Sequence, residues 1–247
     1  MKTAFKLILL LALLVYLCFA FTRFSNTGSD ATCEGVHVIV ADSTHAGFIT
    51  ADEVLKILDE AHIDPVGKPM KDIVSKAIED TLLKNSFVRE ATCYKTPANK
   101  VNILVEQRLP LMRIMADNGD DYYLDENGFA MDAQGYVANL VVATGDFDRD
   151  FARHNLVKIG RFLRNDPVWD DQIEQIYVNQ NLTIDLVPRV GNHVVHLGDT
   201  DSLSLKMRNL AAFYQKAMPQ VGWNKYKEVN IADVKQIVCT KDDKHKR

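Results

Sequence analysis

Apolar residues run unbroken from Leu7 to Phe21, between Lys6 and the pair Thr22-Arg23. Past that stretch they come in short periodic bursts separated by turn residues, the texture of a folded globular chain. The pattern predicts a strand over Val36–Val40. Thr50-Ala51-Asp52-Glu53 then has capping-box spacing, in which each side chain satisfies a free backbone N–H of a first helical turn. Val54, Leu55, Ile57, Leu58 and Ala61 follow at helical spacing, and Asp64-Pro65-Val66-Gly67 breaks the helix. A second helix is predicted from about Met70 to Lys84, with Ile73, Val74, Ala77, Ile78 and Leu82 on its apolar face. Asn85-Ser86 ends it. Phe87–Tyr94 reads as a strand, Pro97-Ala98-Asn99-Lys100 as a turn, and Val101–Val105 as the returning strand. Strand, helix, helix, strand, strand makes a small α+β domain, with two helices on one face of a three-stranded sheet.

The second half is richer in strands. Leu111–Met115 is followed by Asp117-Asn118-Gly119-Asp120, which carries the Asn-Gly hairpin signal. Tyr122–Leu124 is the next strand, and Asp125-Glu126-Asn127-Gly128 turns the chain into Phe129–Met131. Leu140–Ala143, Ile173–Val178, Leu182–Val187 and His193–Leu197 continue the strands. Phe151–Leu163 and Leu203–Ala217 read as helices, and a last strand is predicted over Ile231–Thr240. The expected fold class is therefore α+β: an N-terminal apolar helix, a strand-helix-helix-strand-strand domain, then a mostly antiparallel β domain with two helices.

The leader has two readings. A basic start and an apolar stretch suit a secretory signal peptide. The nearest cleavage site is Cys18-Phe19-Ala20, and Tyr16 and Leu17 are too bulky for lipoprotein processing at Cys18. The other reading is an uncleaved anchor. Fifteen helical residues rise only about 22 Å, so the span needs Ala4, Phe5 and Thr22, with Lys6 and Arg23 snorkelling to the headgroups. Lys2, Lys6 and the terminal amine against Arg23 place the amino end in the cytoplasm. The expectation is an anchor over 7–23.

Composition changes the picture little. The net charge of −4 gives no nucleic-acid footprint. Cys33, Cys93 and Cys239 would lie in an extracytoplasmic space, where disulfides form. A Cys33–Cys93 bridge and three free thiols are both open. No glycine-rich phosphate cradle, G-x-S-x-G turn or H-E-x-x-H helix occurs. His193 and His196 are three apart, so on a strand they point to opposite faces and make poor co-ligands. Asp125-x-Asn127-Gly128 has part of a calcium-loop pattern, but Tyr123 occupies the first ligand position, so a hairpin turn fits better. Asp120, Asp121 and Asp125 read as a solvated acidic face. Nothing here assigns catalytic, cofactor-binding or metal-binding residues.

The order of motifs resembles the bacterial division proteins of the FtsQ/DivIB family. Cys33-Glu34-Gly35-Val36-His37-Val38 resembles the entry into the family's first POTRA strand, and Phe48-Ile49-Thr50-Ala51-Asp52-Glu53-Val54 its first helix start. Asn85-Ser86-Phe87-Val88-Arg89-Glu90-Ala91 is similar to "N-P-W-V-x-x-A", with Ser86 and Phe87 in place of Pro and Trp. Val105-Glu106-Gln107-Arg108-Leu109-Pro110 is similar to "V-x-E-R-x-P", with Gln107 as an extra residue. Tyr122–Gly128 matches "Y-x-D-x-x-G", and Ala143-Thr144-Gly145 resembles "x-T/S-G".

The resemblance implies a non-enzymatic divisome scaffold without cofactors. It implies a cytoplasmic end (1–6), a transmembrane anchor (7–23), a linker (24–32), a POTRA domain (33–106), an FtsQ-type β domain (107–241) and a tail (242–247). The partners it implies are FtsB-like and FtsL-like bitopic proteins at the septum of the inner membrane. They would add a strand to the open edge formed by the last strand: Val234, Lys235, Gln236, Ile237, Val238, Cys239, Thr240 and Lys241. Val234, Gln236, Val238 and Thr240 would share one face, and Lys235, Ile237, Cys239 and Lys241 the other. The POTRA strand Phe87–Tyr94 is a second possible edge. Two rivals come from other classes: a POTRA-type periplasmic assembly factor for outer-membrane proteins, favoured by a cleaved leader, and an extracytoplasmic enzyme.

Overall fold

The computed structural model describes residues 10–20, 31–41, 48–133 and 139–242. The chain divides into two compact units, Met1–Gln107 and Arg108–Arg247. Residues 10–20 form a helix, α1. No helix among the described residues is long and apolar enough to cross a membrane. The expected anchor (7–23) extends beyond α1 at both ends, into residues outside the described ones. The cytoplasmic end, most of the linker and residues 243–247 of the tail also lie outside them.

The first unit comprises β1 (Gly35–Ala41), α2 (Ala51–Glu60), α3 (Ser75–Leu82), β2 (Val88–Lys95) and β3 (Lys100–Gln107). The sheet order is β1-β3-β2, with β1 parallel and β2 antiparallel to the central β3. Thr50 caps α2, its Oγ1 accepting from the Glu53 N–H at 3.2 Å. Val54 and Leu58 of α2 pack with Ile78 and Leu82 of α3, and all four are buried. They cover the sheet face carrying Val101, Ile103 and Val105, and Phe48 stacks on Phe87 at 5.2 Å.

Helix α3 starts at Ser75, later than the periodicity predicts. The Asp72 N–H bonds to the Pro69 carbonyl in a turn, and Val74 is extended. Met70 and Ile73 are nevertheless buried, so the apolar spacing there marks core residues held by a turn. Cys33 and Cys93 are buried free thiols, which decides between the two readings of that pair.

The second unit is built on a nine-stranded sheet. Its strands are β4 (Pro110–Ala116), β5 (Asp121–Asp125), β6 (Ala130–Asp132), β7 (Val142–Gly145), β8 (Ile173–Val178), β9 (Ile184–Pro188), β10 (Val194–Gly198), β11 (Tyr226–Asn230) and β12 (Val238–Lys241). The spatial order is β12-β11-β10-β9-β8-β7-β4-β5-β6. The pairs β4–β7, β7–β8 and β10–β11 are parallel and the other five antiparallel.

The first long helix comprises α4 (Arg149–Phe151), a π-helical turn (Ala152–Leu156) and α5 (Val157–Arg164). The second is α7 (Leu203–Lys216). Short helices α6 (Pro167–Gln172) and α8 (Met218–Val221) add to the two expected. Asp166 caps α6, accepting from the Val168 N–H at 3.0 Å, and Pro167 occupies its first turn.

One face of this sheet carries the core. Ile114, Ala143, Ile176, Leu186, Val195 and Val229 from alternate strand positions meet Leu156, Ile159, Leu163, Met207 and Leu210 from the helices. Gly160 lets α5 approach closely: a Cβ there would lie 2.4 Å from the Met112 side chain. The other face is polar, with a row running Thr144, Tyr177, Asp185, His196, Asn230 and Val238 across six neighbouring strands.

Candidate partner-binding edge

Strand β12 is the outermost strand at one end of the nine-stranded sheet, with β11 on one side and no strand beyond it among the described residues. The register pairs Val238 with Asn230, Cys239 with Val229, Thr240 with Glu228 and Lys241 with Tyr226. The Asp242 N–H donates to the Lys225 carbonyl at 3.0 Å and closes that ladder. Cys239 turns inward with Ile237 against the core, and burial pushes its thiol pKa up. Val238 points the other way and is 54% exposed. Thr240 and Lys241 are also exposed.

The strand is shorter than the sequence pattern suggests. Val234, Lys235, Gln236 and Ile237 lie before it, in turns and irregular chain. Local side chains compete with the ladder there. The Asn230 side chain accepts from the Ala232 N–H, and the Asp233 side chain from the Lys235 N–H, each at 2.9 Å. Asn209 donates to the Val234 carbonyl at 2.9 Å. The missed partner strand is β11, whose Tyr-Lys-Glu-Val-Asn alternation was legible. The turn chemistry of Asn230 and Asp233 was the available signal that the predicted strand starts too early.

The other outer strands are β6 in the same sheet, and β1 and β2 in the smaller one. The expected second edge, Phe87–Tyr94, thus corresponds to β2, which runs Val88–Lys95.

The motif residues converge on the β5–β6 turn. Asp125 is 2% exposed. Its Oδ1 accepts from the N–H groups of Asn127 (2.8 Å) and Phe129 (2.7 Å), and its Oδ2 takes the Arg108 guanidinium at 3.0 Å. Arg108 also lies over the Phe129 ring at 4.0 Å. Arg161 donates to the Glu126 carbonyl at 2.8 Å, and Arg153 to that of Gly128 at 3.3 Å. The three aspartates read as one solvated face are instead separate ion pairs: Asp120 with Arg149 at 2.7 Å, Asp121 with Arg113 at 2.9 Å, and buried Asp125 with Arg108. Each adjacent arginine holds the Asp120 and Asp121 carboxyls below the usual carboxylate range.

His193 and His196 do lie on opposite faces. His193 is buried against the Tyr214 hydroxyl, whereas His196 bonds to Asp185 at 2.7 Å on the polar face. Beside His196 is a shallow depression of about 730 Å³, lined by Tyr177, Asn179, Thr183, Asp185 and Asn230 among others. Among the described residues no group of three His, Cys, Asp or Glu side chains could hold a metal ion.

Comparison with known families matches residues 109–240 to the model described as FtsQ/DivIB, C-terminal related. Residues 31–106 match a POTRA-like domain. A comparison with curated proteins returns no match. The first match spans more than half of the chain's residues, and the chain therefore belongs to the FtsQ/DivIB C-terminal related family.

Proposed function

We propose that the protein is a non-enzymatic scaffold of the bacterial division complex that takes up a strand from a partner at β12. Residues 7–23 anchor it in the inner membrane, 1–6 remain in the cytoplasm, and 24–32 link to a POTRA-like domain (33–106) and a β domain (107–241) in the periplasm, with 242–247 as a tail. The partners are FtsB-like and FtsL-like bitopic proteins at the septum. The observation that supports this reading best is the place of β12 in the sheet: it is outermost among the described strands, and its own first residue, Val238, is exposed. An unpaired edge offers backbone N–H and C=O groups to an incoming extended segment, and alternate side chains select it. Within the expected edge, Val238–Lys241 supply the ladder, and Val234–Ile237 form its approach.

The test is co-purification of division proteins with the full chain carrying Val238→Pro or Val238→Asp. The expected result is loss of the FtsB-like and FtsL-like proteins at unchanged circular dichroism. Wild-type recovery of both partners by the folded variants would sink the edge reading.

A further inference from the structure

His193 immediately precedes β10 and is 2% exposed. Its Nε2 lies 2.7 Å from the Tyr214 hydroxyl of α7. The Tyr214 ring meets it edge-on at 5.5 Å, and the Trp223 ring stacks beside it at 6.5 Å. Tyr214 contacts Trp223 at 5.2 Å and Trp169 of α6 at 6.0 Å. The second ring nitrogen, Nδ1, is buried with no hydrogen-bond partner among the described residues. It abuts the backbone of Gly191, where a Cβ would lie only 2.8 Å away.

A buried polar atom without a partner is rare in a native structure and needs a reason. The neutral ring tolerates this place: in the tautomer protonated at Nε2, that N–H serves the Tyr214 hydroxyl and the bare Nδ1 is an idle acceptor. Imidazolium does not tolerate it, because both nitrogens must then donate and a full charge is left in an apolar cage. The titratable group facing His193 is Tyr214 from α7, itself kept protonated by burial. Trp223, from the segment after α8, and Trp169, from α6, carry no charge.

The cage is joined to the proposed docking edge by covalent and ladder connections. Trp223 lies two residues before Lys225, whose carbonyl closes the β12 ladder, and three before β11. On the other side, Val194 pairs with Glu228 of β11. We propose that His193 is an acid-sensitive latch on this edge: its protonation loosens the segment that holds β11 and β12 in the sheet.

The sign follows from burial, which lowers the His193 pKa below its ordinary 6.5. The folded chain binds fewer protons here than the unfolded one just below that pH. The latch is fully closed above about pH 6.5 and weakens as the pH falls below it. Its meaning for partner binding rests on the reading of β12 as the docking edge.

The test uses the full chain in mild detergent, without a partner. Hydrogen exchange of residues 222–242, corrected for intrinsic rates, is followed from about pH 7.5 to about pH 5, across the histidine range. Trp169 and Trp223 are the two tryptophans of the chain, so intrinsic fluorescence reads the same cage. Wild type is expected to exchange at least about threefold faster at the acid end, with a red-shifted emission, while His193→Gln changes in neither respect. Equal acid responses in both proteins would overturn the latch. Should His193→Gln fail to fold, the wild type decides alone: exchange over 222–242 that follows that of β8 and β9 at every pH overturns it. Neither readout involves a partner, so a failure of the docking reading is told apart from a failure of the latch.

Discussion

Arg108 and Asp125 meet at 3.0 Å and join two motifs that are seventeen residues apart in sequence. The arginine lies two residues before β4 and the aspartate ends β5, and the Pro110–Asp125 pairing between those strands brings them together. Asp125 also accepts two backbone N–H groups of the following turn. One carboxylate thus folds its own loop and ties that loop to the start of the domain.

Asp125→Ala is expected to be strongly destabilising, because it removes one buried carboxylate from a half-buried guanidinium and two backbone N–H donors together. The loss is about 3 kcal/mol, or about 6–12 °C in the thermal midpoint of a domain this size. Asp125→Asn keeps an acceptor for the turn and should lose less. Thermal melts of the three proteins check this, and equal midpoints would contradict it.

Gly145 carries a second, different constraint. Its φ is +113°, and a Cβ would lie 2.1 Å from the Val178 carbonyl oxygen, which belongs to the neighbouring strand and has no freedom to move away. Gly145→Ala should cost at least about 3 kcal/mol through backbone strain and the clash together. Chemical denaturation midpoints measure it. A midpoint within error of wild type would refute the assigned backbone geometry.

The Asp120–Arg149 pair gives a pH dependence of the opposite chemical origin to that of His193. Arg149 holds the Asp120 carboxyl below its ordinary 3.8. The pair therefore contributes fully above pH 3.8, and its contribution disappears as the pH falls through the lower folded-state value. Arg149→Ala should melt below wild type at neutral pH, and the gap should narrow in strong acid. It should not close, because Arg149 also lies over the Tyr122 ring at 5.1 Å, a contact that does not titrate. A gap of constant size across that range would disprove the assignment.

The sequence carried most of the architecture and much less of the edge. Ile173–Val178 is a strand to the residue because it is a short run rich in β-branched and aromatic residues that stops at the turn signal Asn179-Gln180-Asn181. Tyr122–Gly128 is legible for the same reason, through Asn-Gly and Asp-x-x-Gly turn chemistry. What escaped was long-range. Asp125 reads as surface in sequence, since only the folded register supplies Arg108 to neutralise it. The approach to β12 reads as strand because Val234, Ile237 and Val238 are apolar, yet Asn230, Asp233 and Asn209 bond its backbone locally or from α7. Short polar side chains that capture nearby N–H groups outweigh apolar spacing there. The predicted start of α3 failed for a different reason, a backbone turn in which the Asp72 N–H bonds to the Pro69 carbonyl.

The parallel pairing of β10 with β11 has a consequence for the order of folding. Parallel neighbours need a long crossover, here the segment containing α7 and α8. Closing such a loop costs chain entropy before any ladder bond repays it, so these contacts form slowly. Strand β12 can pair locally with β11, but that hairpin has no place in the sheet until the loop has closed. Until then the large sheet does not end in β12, and recruitment through this strand as the sheet's edge would sense the maturity of the protein that recruits.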